Sequence, residues 1–265
     1  MMSWNLVVLL LLFIFFLMIF FLLRRHWVRS HKKIHVEVHC INLPSDDLRK
    51  QSIQEYFKDF PYPIQFVDAV DTRNDQWRRY KDQIDPTVFQ ELEVNIKRKR
   101  RLEHHQLTPG AVGCFLSHFK CWDNYLLSPL SLEDSSSVLL VLEDDSRPTP
   151  EFMSRFRDIV LKLPKDADMC NLNHIVNQPT NVNNNEFFQL EPTGNFYLMN
   201  CYLITRKGIL KIKDHYQTYQ NGKMYKQIDS YLSELHQKQV LNIYFYKESI
   251  CPQGYFWTNI QTLPM

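Results

Sequence analysis

Val138 to Asp145, VLLVLEDD, is an unbroken apolar run that stops on three adjacent carboxylates, and few chain arrangements accommodate it. A run this short and apolar, followed by Ser146, Arg147 and Pro148, predicts a strand buried on both faces. Its acidic tip then lies at the edge of the sheet, which in an open α/β sheet is where ligands bind. Adjacent carboxylates repel one another unless a cation or a set of donors compensates them. Alternate side chains of an extended chain point the same way, so Glu143 and Asp145 can share one hard metal ion while Asp144 points elsewhere. Taken alone, EDD is equally compatible with a solvated acidic turn.

The start of the chain is of a different kind. From Leu6 to Leu23 every residue is apolar, a run of about 18 residues and just enough to cross a bilayer core. No basic residue precedes it, and Arg24, Arg25, His26 and Trp27 follow it in place of the small residues of a cleavage site, so an uncleaved anchor is expected over residues 1–33. Arg24, Arg25, Arg29, Lys32 and Lys33 all lie after the apolar run, which favours retention of the following domain in the cytosol over the lumenal alternative. The absence of any N-x-[ST] sequon agrees with that orientation.

Residues 34–265 are enough for one sizeable core. A net charge of +2 implies no strongly basic partner surface. The basic run Lys97 to Arg101, KRKRR, has no interleaved aromatics, so nucleic-acid binding is not expected, and it reads as a solvated face or as a patch drawn to an anionic membrane or nucleotide. Six cysteines, Cys40, Cys114, Cys121, Cys170, Cys201 and Cys251, lack CxxC spacing and read as small buried hydrophobes.

Ile34 to Leu43 predicts a first strand, Ser45 caps a helix from Asp46 to about Phe60, and Ile64 to Val70 closes a βαβ unit. Residues 73–103 are polar and poorly patterned and read as irregular. Leu107 to Leu127 predicts a helix capped by Thr108 with Pro109 in its first turn. Gly110 and Gly113 in that turn cost helix stability and point to close approach of another backbone or a ligand, and His118 reads either as a core histidine or as part of a site. After the acidic strand come a helix from Pro150 to Leu163, a short strand from Asp168 to Leu172, and a loop from Asn171 to Asn185 able to act as a flap. Phe196 to Ile204 reads as a strand, Arg206 to Tyr219 and Gln227 to Gln237 as helices, and Val240 to Tyr246 as the last strand. There is no internal repeat and no clear second-domain linker.

These pieces in this order resemble glycosyltransferase family 25, the group of the bacterial lipooligosaccharide galactosyltransferases and the procollagen galactosyltransferase domain. The carriers are INL from Ile41 to Leu43 with Arg49 after it, FVDAVD from Phe66 to Asp71, LTPGAVGCFLSH from Leu107 to His118, LVLEDD from Leu140 to Asp145, YLIT with RKG from Tyr202 to Gly208, and the ID of Ile228 and Asp229. The resemblance implies an α/β, Rossmann-like domain of GT-A type behind one N-terminal helix. It further implies transfer of a hexose, galactose or glucose, from a UDP-sugar to a glycan, lipid-linked saccharide or hydroxylysine acceptor, with inversion. Three positions depart from the family pattern. Ala111 stands where an acidic residue is usual, Asn200 or Cys201 where a histidine is usual, and Ser230 where a histidine often follows the aspartate.

On that resemblance a Mn²⁺ or Mg²⁺ ion offsets charge on the leaving diphosphate, with Asp145 as its direct ligand and Glu143 joining it through water or holding the ribose. Asn42, Leu43 and Arg49 flank base and phosphates, and Asp71, Ser117, His118 and Asp144 complete the donor site. Asp229, at a helix start late in the chain, is the expected base for the acceptor hydroxyl, with a purely structural role in capping as its rival. Two other classes compete. A metal-dependent phosphoesterase would need more dispersed ligands than the chain offers, and a catalytically degenerate transferase fold would bind nucleotide or act as a membrane-bound scaffold without turnover.

Overall fold

The computed structural model describes residues 13–21, 35–103, 105–133, 137–182 and 186–254. The chain divides into two units, Met1–Ile34 and His35–Met265. In the first, residues 13–21 are helical and their apolar side chains are mostly exposed. The rest of the Leu6–Leu23 run lies outside the described residues, and among the described residues no helix is long and apolar enough to cross a membrane.

The second unit is mixed α/β around one eight-stranded sheet of order β2-β1-β3-β7-β4-β8-β6-β5. Its parallel heart is β1 (Val36–Asn42) between β2 (Ile64–Asp68) and β3 (Val138–Glu143), so that Asn42 and Glu143 end at the same edge. β7 (Cys201–Thr205) runs antiparallel to β3 and to β4 (Met169–Asn171). β8 (Ile243–Tyr246) is parallel to β4. β6 (Phe187–Tyr197) pairs with β8 and with the bulged edge strand β5 (Ile175–Val182).

Period-two alternation divides β1 and β3 between two helical layers. Ile41, Leu139 and Val141 belong to a core shared with α3 (Pro109–Leu127), α6 (Arg206–Gln220) and α7 (Ile228–Gln237). On a second front, Phe57 after α1 (Asp47–Tyr56) and Phe60 meet Phe152 and Phe156 of α5 (Pro150–Lys162), with ring centroids 5.0 to 5.7 Å apart. Thr108 caps α3 by accepting from Ala111 N at 3.1 Å, and Pro109 fills its first position, as the sequence predicts.

Four local expectations are corrected. Asp46, not Ser45, caps α1, accepting from Arg49 N at 3.2 Å; the Ser45 hydroxyl instead accepts from Arg73. The stretch 73–103 is not irregular. It holds a 3-10 segment, Gln76–Gln83, and α2 (Pro86–Arg98), with the short α4 (Pro129–Glu133) following α3. The flap expected over Asn171 to Asn185 contains β5, which is held by backbone pairing with β6. The single strand expected over Phe196 to Ile204 is two strands, because the chain turns at Leu198 with φ of 74° and Asn171 donates to the Leu198 carbonyl at 2.8 Å.

Candidate active site

The C-terminal ends of β1 and β3 and the first turns of α3 border a cavity of about 350 Å³. Its far wall is the chain from Ala69 to Asp75, which is pinned to α3. Thr72 Oγ1 donates to the Pro109 carbonyl at 2.7 Å, and Ser117 Oγ accepts from Val70 N at 2.8 Å while donating to the Gly113 carbonyl at 2.6 Å. A Cβ on Gly113 would sit 2.6 Å from both Thr72 Oγ1 and the Val70 carbonyl, so this glycine is required by backbone approach. Gly110 lines the cavity.

The three carboxylates diverge, but not by the extended alternation expected from sequence: β3 ends at Glu143, and Asp144 and Asp145 are the central residues of a turn in which Ser146 N donates to the Glu143 carbonyl at 3.0 Å. Asp144 turns toward α1, where Arg49 Nη1 donates to Oδ1 at 2.8 Å and Asn42 Nδ2 to Oδ2 at 2.9 Å. Burial raises its pKa despite both donors. Glu143 turns toward α3 and accepts from His118 Nε2 at 3.1 Å. Behind it, Trp122 Nε1 donates to the Tyr202 hydroxyl at 2.9 Å, and that hydroxyl lies 2.8 Å from His118 Nδ1. A Tyr202 proton given to Nδ1 leaves the imidazole its Nε2 proton for Glu143, and every polar atom in this buried chain is then satisfied.

Asp145 is held by the end of the described chain. Gln253 Nε2 donates to Oδ2 at 2.7 Å, and Gly254 N to the Asp145 carbonyl at 2.6 Å. Its Oδ1 is buried and has no hydrogen-bond partner among the described residues. Burial first, and Glu143 second, push its pKa up to about 7. A buried carboxylate oxygen without a donor, beside a second carboxylate in a cavity, is the environment that a hard cation relieves. These residues therefore fit the Mn²⁺ or Mg²⁺ that the family resemblance implies, and Asp145 is the carboxylate that would hold it directly.

The other expected residues are placed as follows. Leu43, Arg49, Asp71, Ser117 and His118 all line the cavity. Asn42 is buried behind it as the partner of Asp144. Asp71 is exposed and paired with Arg73, whose side chain lowers its pKa. Asp229 is not among the lining residues. It lies in the first turn of α7, accepts from Ser230 N at 2.7 Å, and is felt electrostatically by Arg101 and Cys114.

Arg73 and Asn74 at the lip, Cys114, and the Gln253 clamp escaped sequence reading. FVDAVD pointed to the lip, since Arg73 and Asn74 follow it directly, whereas nothing local marks Gln253. Asn200, one of the departures, is a structural knot: its side chain donates to the Cys251 carbonyl at 3.1 Å and accepts from Asn173 at 2.5 Å, while its carbonyl accepts from Glu143 N at 2.7 Å and Ser146 Oγ at 2.6 Å. Ala111 is buried under the Thr108 cap.

Comparison with known proteins identifies the family. The model of glycosyltransferase family 25 (LPS biosynthesis protein) matches residues 35–256. Similar curated proteins include a glycosyltransferase 25 family member of Aedes aegypti, 26% identical over 125 residues, which is 46% of this chain and 18% of that protein. A mouse protein named inactive glycosyltransferase 25 family member 3 is 28% identical over 133 residues, 49% of this chain and 19% of its own. The aligned part thus spans less than a fifth of these relatives. With the family match running from the first strand through the Gln253 clamp, this chain belongs to glycosyltransferase family 25.

Proposed function

We propose that the chain transfers a hexose, galactose or glucose, from a UDP-sugar to a saccharide, lipid-linked saccharide or hydroxylysine acceptor with inversion, in a domain of GT-A type. The observation that carries this is Asp145 Oδ1, a buried and unpartnered carboxylate oxygen beside Glu143 in a cavity at the ends of parallel strands. In this reading Asp145, with Glu143 beside it, holds Mn²⁺ or Mg²⁺, which supplies charge compensation for the diphosphate. Arg49 is tethered by Asp144 with its side chain largely buried, which orients it at the cavity wall for the donor's base or phosphates. Arg73 at the lip offers a second cation to the diphosphate. His118, fixed by Tyr202, holds the Glu143 carboxylate in place. Asp229 takes the proton of the attacking acceptor hydroxyl.

A second reading, nucleotide binding without turnover, is favoured by Ala111, Asn200 and Ser230. At Asn200 or Cys201, where the family resemblance implies a histidine, Asn200 is instead fully used in holding the β3 tip. A donor screen on the full-length protein with and without Mn²⁺ separates the readings. Metal-dependent release of UDP from a UDP-hexose supports transfer; binding of UDP without release supports the second reading; cleavage of phosphodiesters in place of sugar nucleotides removes both. The apolar run Leu6–Leu23 followed by five basic residues supports an anchor with a cytosolic catalytic domain. Protease added to sealed microsomes tests that: digestion of the domain without detergent is expected, and protection overturns it.

A further inference from the structure

On the α3 side of the cavity, one ligand atom each from Cys114, His118 and Glu143 lie within 4.8 Å of one another. We propose that these three side chains form a site for a borderline-soft divalent cation, Zn²⁺, distinct from the hard-ion position at Asp145 and in competition with it for Glu143. Cys114 and His118 are one helical turn apart on α3, so both project from the same face, and Glu143 meets them from the end of β3.

The spacing suits a tetrahedral ion. Zinc bonds of about 2.0 Å to nitrogen and oxygen and 2.3 Å to sulfur put a nitrogen and an oxygen ligand about 3.3 Å apart, and a sulfur and an oxygen about 3.5 Å apart. Here His118 Nε2 and Glu143 Oε1 are 3.1 Å apart, and Cys114 Sγ and Glu143 Oε1 are 4.0 Å apart. Closing the set requires the Cys114 rotor to bring Sγ in by about half an ångström toward Oε1 and, from within 4.8 Å, to about 3.5 Å of Nε2 as well. Three protein ligands leave a fourth position facing the cavity that Cys114, His118 and Glu143 all line.

The outer support is present as well. Metal-bound histidines commonly donate their second ring nitrogen to a fixed acceptor, and His118 Nδ1 is 2.8 Å from the Tyr202 hydroxyl, itself anchored by Trp122. Binding is balanced by loss of the Cys114 thiol proton to solvent and by transfer of the ring proton from Nε2 to Nδ1, after which the Tyr202 hydroxyl accepts from both Nδ1 and Trp122 and must turn its own proton away from the ring, at a cost in solvation. A thiolate and an imidazole select zinc over manganese or magnesium, whose preferred donors are oxygens. Zinc bound here removes Glu143 from the hard ion, so the site is inhibitory toward any chemistry that needs that ion.

X-ray absorption at the zinc edge of full-length protein loaded with one equivalent of Zn²⁺, without donor, tests the assignment directly. The expected spectrum has a single sulfur at about 2.3 Å with nitrogen and oxygen at about 2.0 Å. A spectrum without sulfur overturns the proposal, and neither result depends on transferase activity. Co²⁺ used as an optical probe is expected to give thiolate charge-transfer absorption saturating at one equivalent, displaced by Zn²⁺ and abolished in Cys114→Ser. Retention of the band in that variant overturns the assignment to Cys114.

Discussion

The two sides of the β3 tip carry the same functional group and treat it in opposite ways. Toward α1, Asp144 meets Arg49 and Asn42, and both of its oxygens are satisfied. Toward the cavity and the Gln253 clamp, Asp145 keeps one buried oxygen without a donor. The first arrangement is closed and holds β1 to β3; the second is held open at a cost in solvation. Adjacent carboxylates therefore meet different environments because β3 ends at Glu143 and the chain turns through Asp144 and Asp145, with Ser146 N donating to the Glu143 carbonyl at 3.0 Å.

The largest expected effect breaks the open side. Asp145→Asn removes the charge that seeks the cation while keeping the Gln253 contact sterically possible, and transfer should fall on the order of 10³-fold or more with metal-dependent nucleotide binding lost. Initial rates and metal titrations on folded protein check this; near wild-type turnover would end the comparison. Asp229→Asn, away from the cavity lining, should lower kcat on the order of 10²-fold with donor affinity nearly unchanged. An equal loss of donor binding would return Asp229 to a structural role at the start of α7.

On the closed side, Asp144→Asn should act on stability before rate. It leaves Arg49 without its buried partner and turns an amide toward Asn42, at a cost of about 1–3 kcal/mol in denaturant unfolding, with a smaller loss of activity than Asp145→Asn. A reversed order of the two activity losses would invert the assignment. The last effect is a pH dependence. Because the pKa of Asp145 is raised to about 7, protons compete with the cation below that value, so Mn²⁺ affinity should climb from pH 5 to about 7 and then level. Folding without metal responds in the opposite sense. A raised carboxyl pKa gives stability that is present below the unfolded value near 4 and lost as pH rises through 7. A metal-free unfolding midpoint that increases over that window for the wild type, relative to Asp145→Asn, would contradict the buried, unpaired oxygen.

The elements around the tip were legible because their sequences are one-sided. β1 and β3 bury nearly every residue, α3 buries ten of its nineteen on one face, and the capping pair Thr108 and Pro109 is local. α2 was not legible, since only Phe89, Leu92 and Asn95 are buried along its thirteen residues, a thin stripe that includes an amide. Trp77 is wholly buried in a segment otherwise so polar that no period shows. Within the site, the separation of Glu143 from Asp144 was expected from strand parity, whereas the structure makes it with a turn directly after Glu143, which no local periodicity announces. The Gln253 clamp and the Asn200 knot could not be read, because each joins residues far apart in sequence through single side-chain hydrogen bonds.

That clamp has a consequence for the timing of biosynthesis. Thr149 N bonds the Ile250 carbonyl and Arg147 N the Pro252 carbonyl, both at 2.9 Å, so residues 250–254 seal the loop that carries Asp145. Since chains fold as they emerge, the sheet with β1, β2 and β3 can assemble while Gln253 is still inside the ribosome. Throughout that interval Asp145 has no restraint from residues 250–254, and a nascent chain carries the β1–β3 edge of the cavity with the Asp145 loop unsealed. The loop around Asp145 is thus sealed only once residues 250–254 have been made, which ties the shape of this cavity to a segment about a hundred residues further along the chain.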